Sequence, residues 1–510
     1  MNLRHNQQAI ADLAKLLKTG NTQLENHFQK ILQEDSRPLE PLHYITKEIA
    51  FPTLSQDKTT RLGLINSYIA SSAKSSEITT ESPLIQTYAS VRGPYLTSLL
   101  GNLASGSINT AKKKSPDDVY RQGTNGIGTY AKGMEGAFLA EYDNICALFS
   151  RDEWGRAYNL TCQGAISELA RTLRELNSHI KANLPTDCYL AYEILEIIST
   201  LSSNLDSRTG ELKPSFSAAL KPIRETGKSS FAELLDDTRR KISSLPVIPA
   251  DGSTVPITVE TMARLQNMVG FIGPLSGIMI SIGDGGWKTN NVAVTSPDTA
   301  PSLSTFDIAA DGKQIFSHYC VDTIDSLLSS LEAKAKLLLK GKATLGVFML
   351  NNAVVADRMV KTSDLQPLLS RSSDIEKWKK IGTQLYNTAW REPSAHLLDI
   401  TYTNRGQRPP SGSAASVDSA AIIKSLSSKD KDATKEKFRL FNASFDDLIA
   451  KHKSYNMEKE TKETLGKQIQ QMIEPLYGRF WDRYHEVDKG KGKYVKYDKG
   501  SISAVFLGLV

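Results

Sequence analysis

Residues 435–453 read KEKFRLFNASFDDLIAKHK, with apolar side chains at every third or fourth position. This spacing is typical of one buried stripe on an α-helix, because residues three and four apart lie on the same helical face. The stripe consists of Phe438, Phe441, Phe445, Leu448 and Ile449. Lysine and arginine occupy intervening positions and are expected to face water. The stretch therefore predicts an amphipathic helix in the last part of the chain.

A second apolar stripe follows after a short polar interval. It comprises Leu465, Ile469, Met472, Ile473, Leu476, Phe480, Trp481 and Tyr484. Pro475 lies inside this stripe and predicts either a kink or a junction of two helices, because proline lacks the N–H that a helix interior requires. A third, shorter stripe in residues 502–509 predicts one more helix. This part of the chain is therefore expected to form a helical core rich in aromatic side chains.

The same period continues upstream of these stripes. Ile166, Leu169, Leu173, Leu176 and Ile180 advance in steps of three and four, which predicts a regular buried helical face. Short connections between such helices favour antiparallel neighbours and hence bundles. Sustained alternation with a period of two, which would indicate strands, does not occur in the sequence. The predicted fold class is all-α, built of consecutive antiparallel helical bundles.

Polar or irregular segments divide the predicted helices. Gly20 is expected to break the first helical region, and longer loops are predicted at residues 71–83, 101–128, 283–313 and 404–420. A chain of 510 residues is long enough for two to four domains. We predict four, namely residues 1–130, 131–270, 271–430 and 431–510.

Composition narrows the class of protein. The chain is 40% hydrophobic and 23% charged, which is typical of a soluble, folded protein. It contains no apolar run near the roughly 20 residues that span a bilayer, and its first residues lack the features of a signal peptide. Four scattered cysteines and eight dispersed histidines show neither disulfide nor metal-site spacing. We therefore expect a cytosolic protein without a metal or other cofactor.

Catalytic patterns are weak. Gly126, Gly128 and Ala131 match a Gly-x-Gly-x-x-Ala pattern, but a polar loop and not a strand precedes them, so the dinucleotide interpretation lacks its structural context. Adjacent carboxylates such as Asp446 and Asp447 point about 100° apart on a helix and cannot share one substrate. We interpret them as ordinary surface charge. The sequence predicts a protein that is not an enzyme.

The strongest functional signal is EVDKGKGKYVKYDKG, residues 486–500, which we call the lysine loop. Five lysines lie within it, with two tyrosines between them: Lys489, Lys491, Lys493, Lys496, Lys499, Tyr494 and Tyr497. Residues 435–510 contain fifteen Lys or Arg against eleven Asp or Glu, so this part carries +4 of the chain's net charge of +6. The excess positive charge is thus concentrated in the last part of the chain.

A lysine run of this kind has more than one interpretation. It is consistent with a solvated loop that keeps the protein soluble. It is also consistent with adsorption to an anionic membrane, since each lysine near a cytoplasmic leaflet is worth about 1 kcal/mol. Nucleic acid is a weaker alternative, because 62 basic against 56 acidic residues is a mild balance and the run is a short loop and not a groove.

Three separated segments carry a resemblance to a known family. KEKFRLFNASFDDL, EPLYGRFWDRY and GKYVKYDKG resemble the C-terminal domain of the seventy-kilodalton subunit of the exocyst, the complex that tethers secretory vesicles to the plasma membrane. GVFMLNNAVVADRMVKTSDL (residues 346–365) and VIPADGSTVPITVETMARLQ (residues 247–266) resemble two internal segments of that family. The resemblance spans nearly all of the chain and is to fungal members. It implies that a coiled coil found earlier in family members is missing here.

The resemblance implies an elongated rod of stacked bundles and a role in exocytosis. Its implied partners are phosphatidylinositol 4,5-bisphosphate, sister exocyst subunits and Rho-family GTPases, and its implied location is the inner face of the plasma membrane at sites of polarised secretion. Lys493 and Lys496 match the family's Lys-x-x-Lys lipid contacts. Further candidates for lipid binding, chosen by position, are Lys489, Lys491, Lys499, Lys435, Lys437 and Arg439.

The chain also departs from the family pattern. Gly500, Ser501 and Ser503 stand where family members form the final helix more strongly, so we expect that helix to be frayed. An alternative function remains open, which is a helical scaffold or adaptor that binds only proteins. The two functions differ in one property, because only the first requires affinity for an anionic lipid.

Overall fold

The computed structural model describes residues 2–74, 84–115, 117–288, 311–370, 374–398 and 419–509. These residues contain nineteen α-helices and no β-strand, so the predicted all-α class is confirmed. In chain order the helices are α1 (Asn2–Glu34), α2 (Pro41–Thr46), α3 (Gln56–Lys74), α4 (Leu84–Lys113), α5 (Ile127–Leu148), α6 (Trp154–Ala182), α7 (Leu184–Thr209), α8 (Lys213–Ser243), α9 (Pro256–Val269), α10 (Ile272–Ile282), α11 (Gly312–Leu338), α12 (Lys342–Lys361), α13 (Leu365–Leu369), α14 (Asp374–Ala389), α15 (Arg391–His396), α16 (Ser419–Ser425), α17 (Ser428–Ser454), α18 (Lys459–Tyr484) and α19 (Lys499–Leu507).

The chain divides into two compact units. The first unit consists of Met1–Leu234 and Phe271–Ile315, and the second of Leu235–Gly270 and Phe316–Val510. The four predicted domains remain a prediction. No single helix among the described residues is long and apolar enough to cross a membrane, although α9 and α10, taken together as a bent pair, satisfy the length and composition required.

In the first unit, α4 and α6 pack side by side. The two helices approach closely enough that a Cβ on Gly93 would lie 3.2 Å from the carbonyl oxygen of Thr161. The predicted stripe on α6 is confirmed, since Leu169, Leu173 and Ile180 are completely buried. Helix α4 also corrects the predicted loop at residues 101–128, because residues 101–113 are helical. Packing against α6 compensates for the weak helix propensity of that glycine- and serine-rich segment.

Helix α1 corrects a second prediction. It runs through Gly20 without a break, so the predicted helix boundary there is wrong. Its early apolar residues are exposed, whereas Phe28 and Leu32 near its end are buried. The buried end packs antiparallel to α3, as the side-chain hydrogen bond of 3.1 Å between Asn21 and Ser72 and the ion pair of 3.5 Å between Lys58 and Glu34 show.

The core of the second unit confirms the stripes of α17 and α18. Their aromatic side chains meet in antiparallel order, with ring centroids 4.9 Å apart both for Phe438 and Phe480 and for Phe441 and Tyr477. Helix α18 continues through Pro475, so the alternative of a junction between two helices is excluded.

Helices α12 and α14 approach more closely than most helix pairs. A Cβ on Gly346 would lie 2.5 Å from the backbone nitrogen of Tyr386, and one on Gly382 would lie 2.8 Å from that of Leu350. Only glycine fits at such distances, because the opposing atoms belong to the backbone and cannot turn away. The two glycines therefore allow these backbones to pack directly against each other.

Asn351 and Asn352 join neighbouring segments of the second unit. The Asn352 side-chain oxygen accepts a hydrogen bond of 2.6 Å from the Thr258 hydroxyl, and the Asn351 amide donates to the carbonyl oxygens of Gly252 and Asn456 at 2.7 and 2.8 Å. Buried amides need such partners, since an unpaired buried polar group costs free energy. These two residues thus connect α12 with the turn before α9 and with the segment before α18.

Candidate lipid-binding site

The lysine loop begins where α18 ends. A 3₁₀ turn at His485–Asp488 follows that helix, and Lys489, Gly490 and Gly492 then adopt left-handed backbone conformations with φ of 48°, 70° and 65°. Asp488 is buried, and its carboxylate accepts hydrogen bonds from the backbone N–H groups of Tyr494 at 2.9 Å and Val495 at 3.4 Å. This buried carboxylate therefore holds the two ends of the turn between residues 488 and 495 together.

Two helices of the second unit hold the far half of the loop. Asn442 on α17 donates a hydrogen bond of 2.8 Å to the Tyr494 carbonyl oxygen, and the Tyr477 hydroxyl on α18 donates one of 2.7 Å to the Tyr497 carbonyl oxygen. The Tyr497 ring packs edge-on against Phe445 of α17, with centroids 5.6 Å apart. The loop is thus fixed to the helical core by its backbone as well as by a side chain.

Helix α19 follows the loop directly. Asp498 forms a capping box with Ser501, in which each side chain hydrogen-bonds to the other residue's backbone N–H. A capping box satisfies two backbone donors that the first turn of a helix otherwise leaves without partners. Ser501 therefore helps to cap the first turn of this helix, and the expectation that the helix is frayed stays a prediction.

The five lysines of the loop are all exposed but fall into two groups. Among the described residues, Lys489, Lys491 and Lys493 have no carboxylate within ion-pair distance. Lys496 pairs with Asp446 of α17 at 2.6 Å, and Lys499 pairs with Asp482 of α18 at the same distance. The hydrogen bond to Asp446 raises the pKa of the Lys496 ammonium group. Within the part of the chain that the structure describes, three of the five positive charges therefore lack a compensating carboxylate, and two have one.

The three cations predicted on α17 do not lie on one side of the helix. Lys435, Arg439, Asn442 and Asp446 share one flank, because their positions fall within about 60° when each residue advances about 100°. Lys437 lies about 180° from Asp446 on the same helix. It donates a hydrogen bond to the Leu398 carbonyl oxygen and is not brought to the loop.

Lys435, on the flank of α17 that faces the loop, and Lys493, in the loop itself, both lie over the aromatic ring of Tyr494. Their ammonium groups are 5.9 and 5.3 Å from the centroid of Tyr494. Lys435 also pairs with Asp432 at 2.9 Å, and Arg439 pairs with Glu436 at 2.5 Å. Lys435 thus lies next to the lysine loop, although both Lys435 and Arg439 pair with a carboxylate of their own helix. That α17 extends the lipid-binding surface stays a prediction.

Aromatic rings accompany the lysines at three places. Besides Tyr494, the Tyr497 ring lies 5.1 Å from the Lys496 ammonium and the Trp481 ring lies 5.6 Å from that of Lys499. An ammonium within about 6 Å of an aromatic ring is attracted by its electrons, by about 0.5–1 kcal/mol at exposed sites. The site is therefore a mixed surface of cations and amphipathic rings.

Asp446, Asp482 and Asp488 are the site residues that sequence reasoning misses. Asp446 lies at the surface, as predicted, and it also accepts hydrogen bonds from both Lys496 and Tyr497. Its partners lie fifty and fifty-one positions further along the chain. A separation of this length leaves no local pattern, so only the fold reveals the pairing.

Other chemistry is sparse in the described residues. No group of three or more His, Cys, Asp or Glu side chains among them is arranged to hold a metal ion. Cys162 and Cys188 are completely buried, as expected of small side chains in a helical core. Burial raises the pKa of the Cys162 thiol well above its usual range.

Packed helices together with an exposed lysine loop define an all-helical protein with a basic surface. The family model for the C-terminal part of the Exo70 exocyst complex subunit matches residues 124–508. Exocyst complex protein EXO70 of Gibberella zeae is 58% identical over all of this chain and 80% of its own length, and that of Neurospora crassa is 57% identical over the same shares. The chain therefore belongs to the Exo70 exocyst subunit family, and the predicted resemblance to fungal members is confirmed.

Solved structures agree on the fold. A crystal structure of the exocyst component Exo70p from S. cerevisiae is similar with a TM-score of 0.71 and 21% identity, covering 99% of this chain and 90% of that chain. A second structure of S. cerevisiae Exo70, with additional residues, has the same TM-score and 23% identity, covering 98% of this chain and 88% of that chain. At these identities the similarity is evidence for the helical fold alone.

Proposed function

We propose that the protein helps to tether secretory vesicles to the plasma membrane as an exocyst subunit, with its lysine loop bound to phosphatidylinositol 4,5-bisphosphate in the inner leaflet. The rest of its surface joins sister exocyst subunits and Rho-family GTPases at sites of polarised secretion. Family membership supports the tethering role and the sister subunits. The proposal of the lipid rests on the residues of the loop and on the family resemblance, and that of the GTPases rests on the resemblance alone.

One observation carries the lipid proposal. Lys489, Lys491 and Lys493 are exposed, and none has a carboxylate partner among the described residues. An ammonium group without a partner on the protein gains most from an anionic surface, because it has no existing ion pair to lose. The loop backbone is already fixed by Asp488 and Asn442, so little ordering is required on binding.

The expected affinity is modest. Each lysine close to an anionic leaflet contributes about 1 kcal/mol, so three give about 3 kcal/mol and all five at most about 5 kcal/mol. Phosphate groups on an inositol ring add charge-assisted hydrogen bonds, which are shorter and stronger than neutral ones. The loop should therefore bind weakly, reversibly and with a strong dependence on salt.

The rings of the site suit the same surface. Tyr494 and Trp481 are partly exposed next to lysines, and such amphipathic rings are enriched at the level of lipid head groups. They provide apolar contact that added salt does not screen. Binding should consequently fall with ionic strength without disappearing abruptly.

Sedimentation with vesicles tests this function. We expect the protein to sediment with phosphatidylcholine vesicles that contain phosphatidylinositol 4,5-bisphosphate, and to be released as salt is added. Changing Lys493 and Lys496 to Glu reverses two charges and should reduce binding by at least about tenfold. Circular dichroism of the variant should match that of the unchanged protein, since both side chains are exposed.

A matched variant controls for net charge. Lys459 and Lys467 are exposed near the start of α18, whereas Trp481 and Asp482, which contact the loop, lie in its last turn. Changing Lys459 and Lys467 to Glu should leave vesicle binding almost unchanged. Equal loss in both variants would mean that net charge, and not the lysine loop, determines binding. Binding that ignores lipid charge and salt would contradict the electrostatic mechanism. No binding to the vesicles at all would instead favour an adaptor that binds only proteins.

A further inference from the structure

Asp446 on α17 binds two side chains of the lysine loop. One carboxylate oxygen accepts a hydrogen bond of 2.6 Å from Lys496, and the other accepts one of 2.5 Å from the Tyr497 hydroxyl. The side chain of Asp446 is 37% exposed and that of Lys496 is 51% exposed. A negative charge therefore lies at the same surface as Lys496, one of the two lysines that match the family's lipid contacts.

The loop does not depend on this carboxylate for its shape. Asp488 binds the backbone N–H groups of Tyr494 and Val495, while Asn442 and Tyr477 bind backbone carbonyl oxygens of the loop. None of these contacts involves Asp446, so we expect them to persist when Asp446 is changed. Exposed ion pairs contribute only about 0–1 kcal/mol to stability, so the pair between Asp446 and Lys496 is not needed for folding.

We propose that Asp446 limits the affinity of the lysine loop for anionic head groups by competing with their phosphates for Lys496. This inference rests on the proposed function. While the pair is intact, Asp446 and Lys496 together present no net charge to the membrane. A phosphate binds Lys496 only by displacing the carboxylate, and the carboxylate then remains nearby and repels it.

The competition gives Lys496 a different role from that of its neighbours. Lys489, Lys491 and Lys493 have no carboxylate to exchange among the described residues, so they are available for the first encounter with a membrane. Lys496 contributes afterwards, once a phosphate is close enough to replace Asp446. Such an arrangement keeps binding weak and reversible.

Changing Asp446 to Asn tests the inference. The amide has the same size and its oxygen still accepts a hydrogen bond, but the competing charge is gone. We expect binding to vesicles of phosphatidylcholine and phosphatidylinositol 4,5-bisphosphate to become about fivefold tighter, because one unit of charge near an anionic leaflet is worth about 1 kcal/mol. If Asp446 instead orients Lys496 towards the lipid, the same change should weaken binding, and that result would overturn the proposal.

Asp447 provides a matched control on the same helix. It pairs with Lys451 at 2.6 Å, four residues further along α17, and points about 100° away from Asp446. Changing Asp447 to Asn alters the net charge equally without releasing a lysine of the loop. We expect less than about a twofold change in binding, and an effect as large as that of Asp446 would show that net charge alone is responsible.

A double variant separates competition from net charge. Changing Lys496 to Gln should weaken binding more when Asp446 is already Asn than when Asp446 is present, because only then is Lys496 fully available to lipid. Effects that simply multiply would overturn the inference while leaving the proposed function intact. If neither the unchanged protein nor the Asp446 variant binds the vesicles, the proposed function itself fails and this inference with it.

Discussion

Charged side chains of this protein occupy two contrasting regions. In the first unit, Glu141 of α5 is 1% exposed and accepts hydrogen bonds from Arg92 at 2.7 to 3.2 Å and from the Tyr88 hydroxyl at 2.5 Å. In the second unit, the lysine loop displays its charges to solvent, and its pair between Lys496 and Asp446 is exposed on both sides. Both regions contain ion pairs, but the buried pair and the exposed pairs contribute differently to stability and to binding.

Because the cluster around Glu141 is buried, each of its charges needs its partner in the folded protein. Burial opposes a charge on Arg92, yet the neighbouring carboxylate outweighs that effect and raises the pKa of the guanidinium group. Burial, reinforced by Glu141, also raises the pKa of Tyr88. The ion pair is almost completely removed from water, because the side chains of Arg92 and Glu141 are only 4% and 1% exposed. The exposed pairs of the loop can exchange a partner for water or a ligand at little cost, and for this reason a binding surface can be built from them.

The largest effect is expected when the buried cluster is broken. Changing Glu141 to Gln leaves the Arg92 charge buried without a counter-charge, and removal of one partner from a buried ion pair costs about 3–5 kcal/mol. We expect the free energy of unfolding, measured in urea by circular dichroism, to fall by that amount. Vesicle binding by the fraction that stays folded should not change.

A surface pair two residues away on α5 gives the control. Asp143 lies 3.4 Å from Arg208, and both side chains are more than half exposed. Changing Asp143 to Asn should cost less than about 1 kcal/mol. If both variants cost the same, burial would not be what distinguishes the two regions.

The next largest effect is expected from lowering the pH, which should destabilise the second unit because a histidine is buried there. His452 of α17 is completely buried and its Nδ1 lies 2.6 Å from the Tyr386 hydroxyl. Burial lowers the pKa of His452 to about 4, below its usual value of 6.5. The unfolded chain therefore binds the proton more readily, so this stability is complete above pH 6.5 and is lost as the pH falls towards 4. Integrated over that range the loss is about 3 kcal/mol.

Urea unfolding at a series of pH values measures this contribution. Changing His452 to Gln removes the titrating group, so the difference in unfolding free energy between the two proteins should shrink as the pH is lowered from about 7 to about 4. A constant difference across that range would mean that His452 titrates alike in the folded and unfolded states. Burial in this unit would then have no electrostatic consequence of the kind expected around Glu141.

The sequence predicts the helices more completely than the contacts between charges. The stripes of α6, α17 and α18 depend on neighbours three and four residues apart, so a local pattern is enough to recognise them. The loop prediction fails at residues 101–113 because glycine and serine obscure a stripe whose members, including Leu103 and Ile108, are buried only through packing against other helices. The break predicted at Gly20 is wrong because one glycine costs a long helix only about 1 kcal/mol.

The candidate site shows the same division. The identity and exposure of the five lysines follow from composition and spacing. The ion-pair partners of these lysines cannot be predicted in this way, because Asp446 and Asp482 come from two different helices and meet the loop only in the folded chain. Sequence reasoning therefore identifies where positive charge is concentrated, while the structure identifies how much of that charge is already compensated.

The smallest expected effect, and the one that best separates binding from stability, concerns Lys489. Its φ of 48° lies in the left-handed region, where a residue with a Cβ is strained and glycine is not. Changing Lys489 to Gly should therefore increase the free energy of unfolding by up to about 1 kcal/mol. The same change removes an uncompensated charge and should weaken vesicle binding about fivefold.

Lys491 is the matched control for that experiment. It lies two positions further along the same loop, is also exposed and is not among the residues with positive φ. Changing Lys491 to Gly should weaken vesicle binding by a similar factor but lower the stability slightly, since glycine then only adds freedom to the unfolded chain. If the Lys489 change raises and the Lys491 change lowers the free energy of unfolding, while both weaken vesicle binding equally, then Lys489 is retained at a strained position for its charge. If Lys489→Gly leaves binding unchanged, the positive charge at this position serves solubility alone, and the contrast between an exposed binding region and a buried structural one no longer extends to the whole loop.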